Sequence, residues 1–336
     1  MKQLKLFALL VVLVSAVSLL AQQPAAPAAG QGAQAGQRGE GQRGQRGQPE
    51  PLTPEEEKIR AAAQERLKRP MATLDTIWIE EMTDPEVRDA IKNGKTTGII
   101  LTGGTESNGP HLASGKHNFI LRQTGESIAR RLGNALVAPI VTLEPGQVDR
   151  PQVGGGWPSL SQATYRAVLV DMGDSMRGMG FKNILYLGDS GSNTGGMQFA
   201  ANTLNDKYKG EPARFYHIPE YYDYRSVQEY IQHELKIPEQ LRLTPGRTAS
   251  NGWSDGIHEE YAIDALMALE DPKTIRYEQR VKAGRAVING VPLTNLKKVL
   301  EHGKQFLELR TKLTVAGINK AMAAPPPKYG QPTQQQ

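Results

Sequence analysis

Two short polar stretches of this chain carry side chains able to do chemistry. Gly103–Asn118 reads GGTESNGPHLASGKHN and gathers Glu106, Asn108, His111, His117 and Asn118. A carboxylate with imidazoles suits a borderline divalent metal ion. On spacing alone, Glu106 capping a turn and His111 bracing the loop behind Pro110 are favoured over metal binding. The second stretch, Gly188–Asn193 (GDSGSN), offers Asp189, Ser190 and Ser192. Ser190 at a strand-to-helix turn is placed like a nucleophile, with His111, His117 and His258 as bases. It lacks the full G-x-S-x-G form, however, and the demand of a tight turn for small residues is the favoured reading. Gly154–Gly155–Gly156–Trp157 and Trp253 are candidate pocket walls, or equally loop packing.

Both polar stretches follow apolar runs, and this is what positions them. Gly98–Thr102 (GIILT), Ala135–Val141 (ALVAPIV), Asn183–Leu187 (NILYL) and Arg214–Ile218 read as short buried strands. Between them, Ile120–Leu132, Ser161–Gly178 and Met197–Asn205 carry apolar residues at helical spacing, as does His258–Leu269 farther on. Strands alternating with helices imply an α/β fold: a mainly parallel sheet covered on both faces. In such folds ligands bind outside the carboxyl ends of the strands. The loops after Thr102 and Leu187 lie there.

The remaining chain frames one large domain over residues 74–322. Residues 1–21 (MKQLKLFALLVVLVSAVSLLA) have two early lysines, an apolar stretch and small residues at the end, the pattern of a secretory signal cleaved near Ala21. An uncleaved anchor is the alternative. Residues 22–54 are rich in Gly, Gln, Pro and Ala, with GQRG starting at Gly36, Gly41 and Gly44, and are expected to be a disordered tether. Residues 55–73 read as a polar helix and connector; residues 323–336 as a disordered tail. The expected location is therefore periplasmic or extracellular, with no membrane span after cleavage.

Composition excludes several classes. The chain has no cysteine, which rules out disulfides, thiolate metal sites and a cysteine nucleophile. Its formal charge of +5 comes mostly from Lys2, Lys5 and a basic excess between residues 22 and 70. A nearly neutral folded part, in a chain with 6% aromatics, does not fit a nucleic-acid binder.

The order of these motifs resembles the creatininase (creatinine amidohydrolase) family. That family runs from a WxxE helix start through a buried strand to GSxEQHGPHLPxxTD; here Trp78–Glu81 and the strand lead to GGTESNGPHLASGKH. The likeness continues at Pro158–Ser161, in MGFKNILYL, and in Gly188–Asn193 where the family writes NGHGGN. It closes at Gly256–His258 and Ala265–Leu269, against HAGExETSxML. The resemblance implies a three-layer α/β/α fold, two divalent metals at the sheet's carboxyl ends, hydrolysis of a cyclic or linear amide, and a homo-oligomer, a hexamer in several members.

Residue by residue, Glu106, His111 and His258 are retained. Asn108 stands where the family has a ligand histidine, and His117 where it has a ligand aspartate. Ser190 replaces a ligand histidine, Ser192 a glutamate of some members, and Tyr261 the glutamate of HAGE. The implied centre is eroded and at most mononuclear: Glu106 and His117 hold one ion (Zn, Mn or Fe), or none is bound. Asp189 orients water or His117, and His258 is the general acid for the leaving nitrogen of a small-molecule substrate. Asn108, His111, Asn118, Ser190, Ser192, Trp253 and Tyr261 line the expected pocket. The alternative is a non-catalytic binding or scaffolding protein of the cell envelope that keeps the fold.

Overall fold

The computed structural model describes residues 52–67, 73–149, 157–239 and 258–324. The expected signal and nearly all of the tether, the terminal tail beyond Ala324, Gly154–Gly156 and Trp253 lie outside the described residues. The chain divides into two units between Arg66 and Leu67. Nearly all of α1 (Pro54–Leu67) falls in the first, with three glutamates in its opening turn. Thr53 caps it: Glu56 Oε2 accepts from the Thr53 amide and hydroxyl, both at 2.8 Å. Among the described residues no helix is long and apolar enough to cross a membrane.

The second unit is built on four parallel strands: β1 (Thr97–Thr102), β2 (Ala135–Val137), β3 (Asn183–Gly188) and β4 (Arg214–His217), in the order β2-β1-β3-β4. Alternate side chains leave the sheet on opposite faces. Ile100, Ile184, Tyr186 and Phe215 pack against Tyr165 and Leu169 of α4 (Gln162–Met179) and Met197, Ala200 and Leu204 of α5 (Thr194–Lys207). Ile99, Leu101, Leu185 and Leu187 pack the other way, against Leu121 and Ile128 of α3 (Lys116–Leu132) and Ile318 of α9 (Leu296–Ala323). These are the three α/β/α layers expected from the sequence.

Local chemistry explains where elements stop. β2 ends at Val137 because Pro139 cannot donate to a ladder; the path resumes only as a bridge between Val141 and Thr102. α3 starts at Lys116, before the apolar pattern begins, because its first turn is polar and faces the loop after β1. Short helices α2 (Asp84–Lys92), α6 (Tyr224–Glu229) and α8 (Tyr277–Lys282) and a two-strand ribbon, β5 (Val287–Ile288) with β6 (Val291–Pro292), complete the unit.

The last third departs from the sequence reading at one helix start and adds a long helix absent from that reading. The helix read from His258 begins only at Tyr261 (α7, Tyr261–Glu270), and His258 sits before it with φ +55°. The long helix α9 carries no simple apolar stripe: Gly303, Arg310, Thr311, Thr314 and Gly317 share its buried face with Val299, Phe306 and Ile318. α7 and α9 approach so closely that a Cβ on Gly303 would lie 2.4 Å from the carbonyl oxygen of Ala265. Backbone cannot yield there as a flexible side chain could. Gly303→Ala should therefore destabilise the protein by about 1–3 kcal/mol in urea unfolding, despite alanine's helix preference of about 1 kcal/mol over glycine. A stabilised variant would contradict the close approach.

Candidate functional site

The strand order reverses direction between β1 and β3, which is where a parallel sheet opens a crevice. Thr102 pairs with Gly188 as the last step of their ladder, so Gly103 and Asp189 emerge side by side. The Asp189 amide donates to Thr102 O at 3.1 Å, and Asn193 Nδ2 donates to Gly103 O at 3.0 Å. The two polar stretches of the sequence thus share one crevice.

The loop after β1 is stapled rather than free. Asn118 Oδ1 accepts from the Gly104 amide and its Nδ2 donates to Thr142 O, both at 3.1 Å. Asn108 Nδ2 donates to Ala113 O at 3.1 Å and Ser114 O at 3.3 Å, closing the loop on itself. Both asparagines brace main chain. Gly104 is required by close approach, since a Cβ there would fall 2.7 Å from the Glu144 side chain.

This scaffold turns Glu106, His117 and Glu144 toward one another, with one ligand atom of each within 4.8 Å of the others. His117 is buried. Its Nδ1 lies 2.8 Å from Asp189 Oδ2, and Asp189 Oδ1 accepts from Arg310 Nη2 at 2.7 Å. Its Nε2 lies 3.1 Å from Glu106 Oε1, an ion pair by distance, but the angle leaves that nitrogen without a hydrogen bond. Glu144 Oε2 accepts from Ser190 and Ser192, each at 2.5 Å.

That arrangement fits a divalent ion. With Nδ1–H given to Asp189, a neutral His117 leaves its Nε2 lone pair buried 3.1 Å from a carboxylate oxygen with no donor, which is unfavourable unless a proton or cation is held there. One imidazole nitrogen and two carboxylates form a donor set for Zn, Mn or Fe. In the absence of an ion, the proton does this work. Burial pushes the His117 pKa down, but Asp189 and Glu106 outweigh it and hold it above 6.5. Burial pushes Glu106 up, while His117, Lys116 and His258 pull it down to about 2.

His258 completes the rim. Its Nδ1 lies 2.9 Å from Ser107 O and 3.4 Å from Glu106 Oε1, and burial lowers its pKa below 6.5. A neutral His258 therefore donates Nδ1–H to Ser107 O and keeps a lone pair on Nε2. Lys116 Nζ ion-pairs with Glu106 Oε1 and donates to His258 O at 3.3 Å.

Of the residues singled out in the sequence, Glu106, His117, Asp189, Ser190, Ser192 and His258 meet in this crevice. His111 is half-buried in the same loop. Tyr261 turns away: its hydroxyl meets His302 Nδ1 at 2.7 Å in the packing of α7 on α9. Ser190 donates its hydroxyl to Glu144 and lies 2.9 Å from the Ser192 hydroxyl, and no histidine among the described residues bonds it as a base.

Three site residues escaped the sequence reading: Glu144, Lys116 and Arg310. Glu144 follows the second apolar run by three residues and was legible as a carboxylate beyond a strand end. Lys116 lay inside the quoted loop. Arg310 had no local signal, being one cation in a long helix.

The family model described as creatinine amidohydrolase (creatininase) matches residues 80–296. Among solved structures, a creatinine amidohydrolase (creatininase) is similar at 16% identity, covering 74% of this chain and 97% of its own, with TM-score 0.51. "Creatininase Mn" is similar at 16% identity over 74% of this chain and all of its own, TM-score 0.53. A mutant creatininase of Zn–Zn type gives 16%, 75% and 100%, TM-score 0.50. At these identities the likeness is one of fold. No curated protein is significantly similar in sequence.

Asp189 is the load on which the imidazole is hung, and its loss is measurable. Burial raises its pKa, but Arg310 and His117 outweigh burial and hold it below 3.8. Asp189→Asn leaves Arg310 buried without its counter-charge, which should cost about 3–5 kcal/mol at pH 7. Because the folded carboxyl is depressed, its contribution is present above pH 3.8 and is lost as the pH falls through the folded value. Urea midpoints of wild type and Asp189→Asn should therefore converge on acidification; a gap that widens in acid would refute the assignment.

Proposed function

Because the chain belongs to the creatinine amidohydrolase (creatininase) family, we propose that it hydrolyses a C–N bond of a small amide, cyclic or linear, at a one-ion centre. The ligands in this reading are Glu106, His117 and Glu144. The observation that carries it is their convergence within 4.8 Å around a buried His117 nitrogen that has no hydrogen bond. A divalent ion bound there supplies Lewis acidity, lowering the pKa of a coordinated water and polarising the amide carbonyl.

The chain's own groups supply the rest. Asp189 fixes the His117 tautomer and ring plane, and Arg310 fixes Asp189. Ser190 and Ser192, which by resemblance stand where ligands are lost, orient a carboxylate brought from elsewhere, Glu144. The centre is thus rebuilt with a different residue rather than simply depleted. His258, neutral and held through Nδ1–H on Ser107 O, takes a proton from the attacking water on Nε2 and passes it to the departing nitrogen. The role given to it is base first and acid second.

We also propose, from the N-terminal residues 1–21 alone, export to the periplasm or beyond, and from the family resemblance a homo-oligomer. A non-catalytic envelope protein is the competing outcome, and one experiment separates the two. Purified protein should bind close to one Zn(II) or Mn(II) per chain and turn over at least one member of a panel of small amides and lactams. Glu144→Gln should weaken ion binding by about 10- to 100-fold, and Glu106→Gln should abolish turnover. Tight ion binding with no turnover across the panel would favour the scaffold; no ion binding would reject the centre.

A further inference from the structure

Lys116 is the first residue of α3 and is only 3% exposed. Its position is costly on two counts. A cation in the first turn opposes the helix dipole, and α3 has no acidic residue in that turn to compensate. Burying an ammonium also forfeits its hydration unless a close partner replaces it. Neither helix formation nor solubility accounts for this lysine.

What accounts for it is the oxygen it holds. Glu106 Oε1 faces the Lys116 ammonium, His117 Nε2 at 3.1 Å and His258 Nδ1 at 3.4 Å. Lys116 also donates to His258 O at 3.3 Å, tying the main chain ahead of α7 to the loop after β1. Its charge also acts on buried Glu260, drawing that carboxyl's pKa down against burial. Glu144, held by Ser190 and Ser192, brings a second carboxylate within 4.8 Å of Glu106 and His117. The crevice therefore holds two carboxylates that seek a cation, and one of them is already engaged by a covalently attached charge.

We propose that Lys116 is the resident second cation of this centre: sharing Glu106 with the incoming ion, it limits the site to one divalent ion per chain and weakens the hold on that ion. This rests on the Glu106–His117–Glu144 reading. The physical reason is direct. A fixed positive charge a few ångströms from a divalent ion repels it strongly in a medium of low dielectric, and a carboxylate oxygen engaged by an ammonium is a poorer ligand. In return, Lys116 acts as a positioning residue, keeping Glu106 and the His258 main chain in register whether or not the ion is bound.

The test is Mn(II) titration of the full chain by calorimetry, with bound metal counted after desalting. Wild type should bind one Mn(II) per chain. Lys116→Met and Lys116→Gln should bind Mn(II) at least tenfold more tightly, or accept a second ion, while Lys116→Arg should behave as wild type. Two ions per wild-type chain would overturn the proposal and leave the metal centre standing. So would one ion with unchanged or weaker affinity in the folded neutral variants, which would mark Lys116 as a structural ion pair. Binding by neither wild type nor Lys116→Met would instead reject the centre, and this inference with it. If both neutral variants fail to fold, Lys116→Arg decides: one ion at wild-type affinity supports the role of the charge, and loss of fold or of binding overturns it.

Discussion

Asp189 carries a charge with no access to water, and much of the molecule is arranged to make that tolerable. One carboxylate oxygen faces Arg310 at 2.7 Å and the other faces His117 at 2.8 Å. Its backbone amide bonds Thr102 O, so the carboxylate is anchored to the strand pair that frames the crevice. Arg310 comes from α9 and His117 from the first turn of α3. A single buried charge thus couples the sheet and two helices that cover it. Buried pairs of this kind give back less in stability than they cost in desolvation, so their return is geometric: the imidazole ring plane and tautomer are fixed before any ligand arrives.

The site that results is dense in charge on both signs. Glu106, Glu144 and Asp189 face Lys116, His117 and Arg310 within one crevice, with neutral His258 beside Glu106. Each carboxylate is held by a different device: an ammonium, two serine hydroxyls, a guanidinium. That division of labour keeps the three anions apart from a common proton, and it leaves the His117 Nε2 as the one buried nitrogen of the group without a hydrogen bond. The polarity of the crevice is therefore preorganised rather than acquired on binding.

Behind His258 the interior solves its charge problem differently. Arg280 meets Glu259 at 2.8 Å and Asp264 at 2.9 Å, one guanidinium between two carboxylates, all three nearly without solvent contact. Burial and the neighbouring Glu259 push the Asp264 carboxyl well up, and burial with Glu239 pushes Glu260 to about 8. At neutral pH Glu260 therefore holds a proton more than a charge. Glu259 and Glu260 directly follow His258, so this packed, buried cluster gives the His258 main chain a rigid footing at a backbone conformation, φ +55°, that non-glycine residues adopt at a cost.

The sequence by itself determined the alternation of strands and helices, the two polar stretches at strand ends, and the family resemblance, because each is written in residues close along the chain. Periodicity is blurred where burial is not purely apolar: the inner face of α9 interleaves glycine, threonine and arginine with Val299, Phe306 and Ile318, so close backbone approach and ion pairing supplement hydrophobic contact. Only the tertiary structure decided that Glu144 reaches the serines and that Arg310 holds Asp189. These partners are 46 and 121 residues apart, and what joins them is the register of β1 with β3 and the path of α9 across α3. It also turned Tyr261 toward His302 and made Lys116 part of the site. Side-chain direction and charge pairing depend on what stands opposite in space, and a linear pattern contains no information about that until the sheet has set the neighbours.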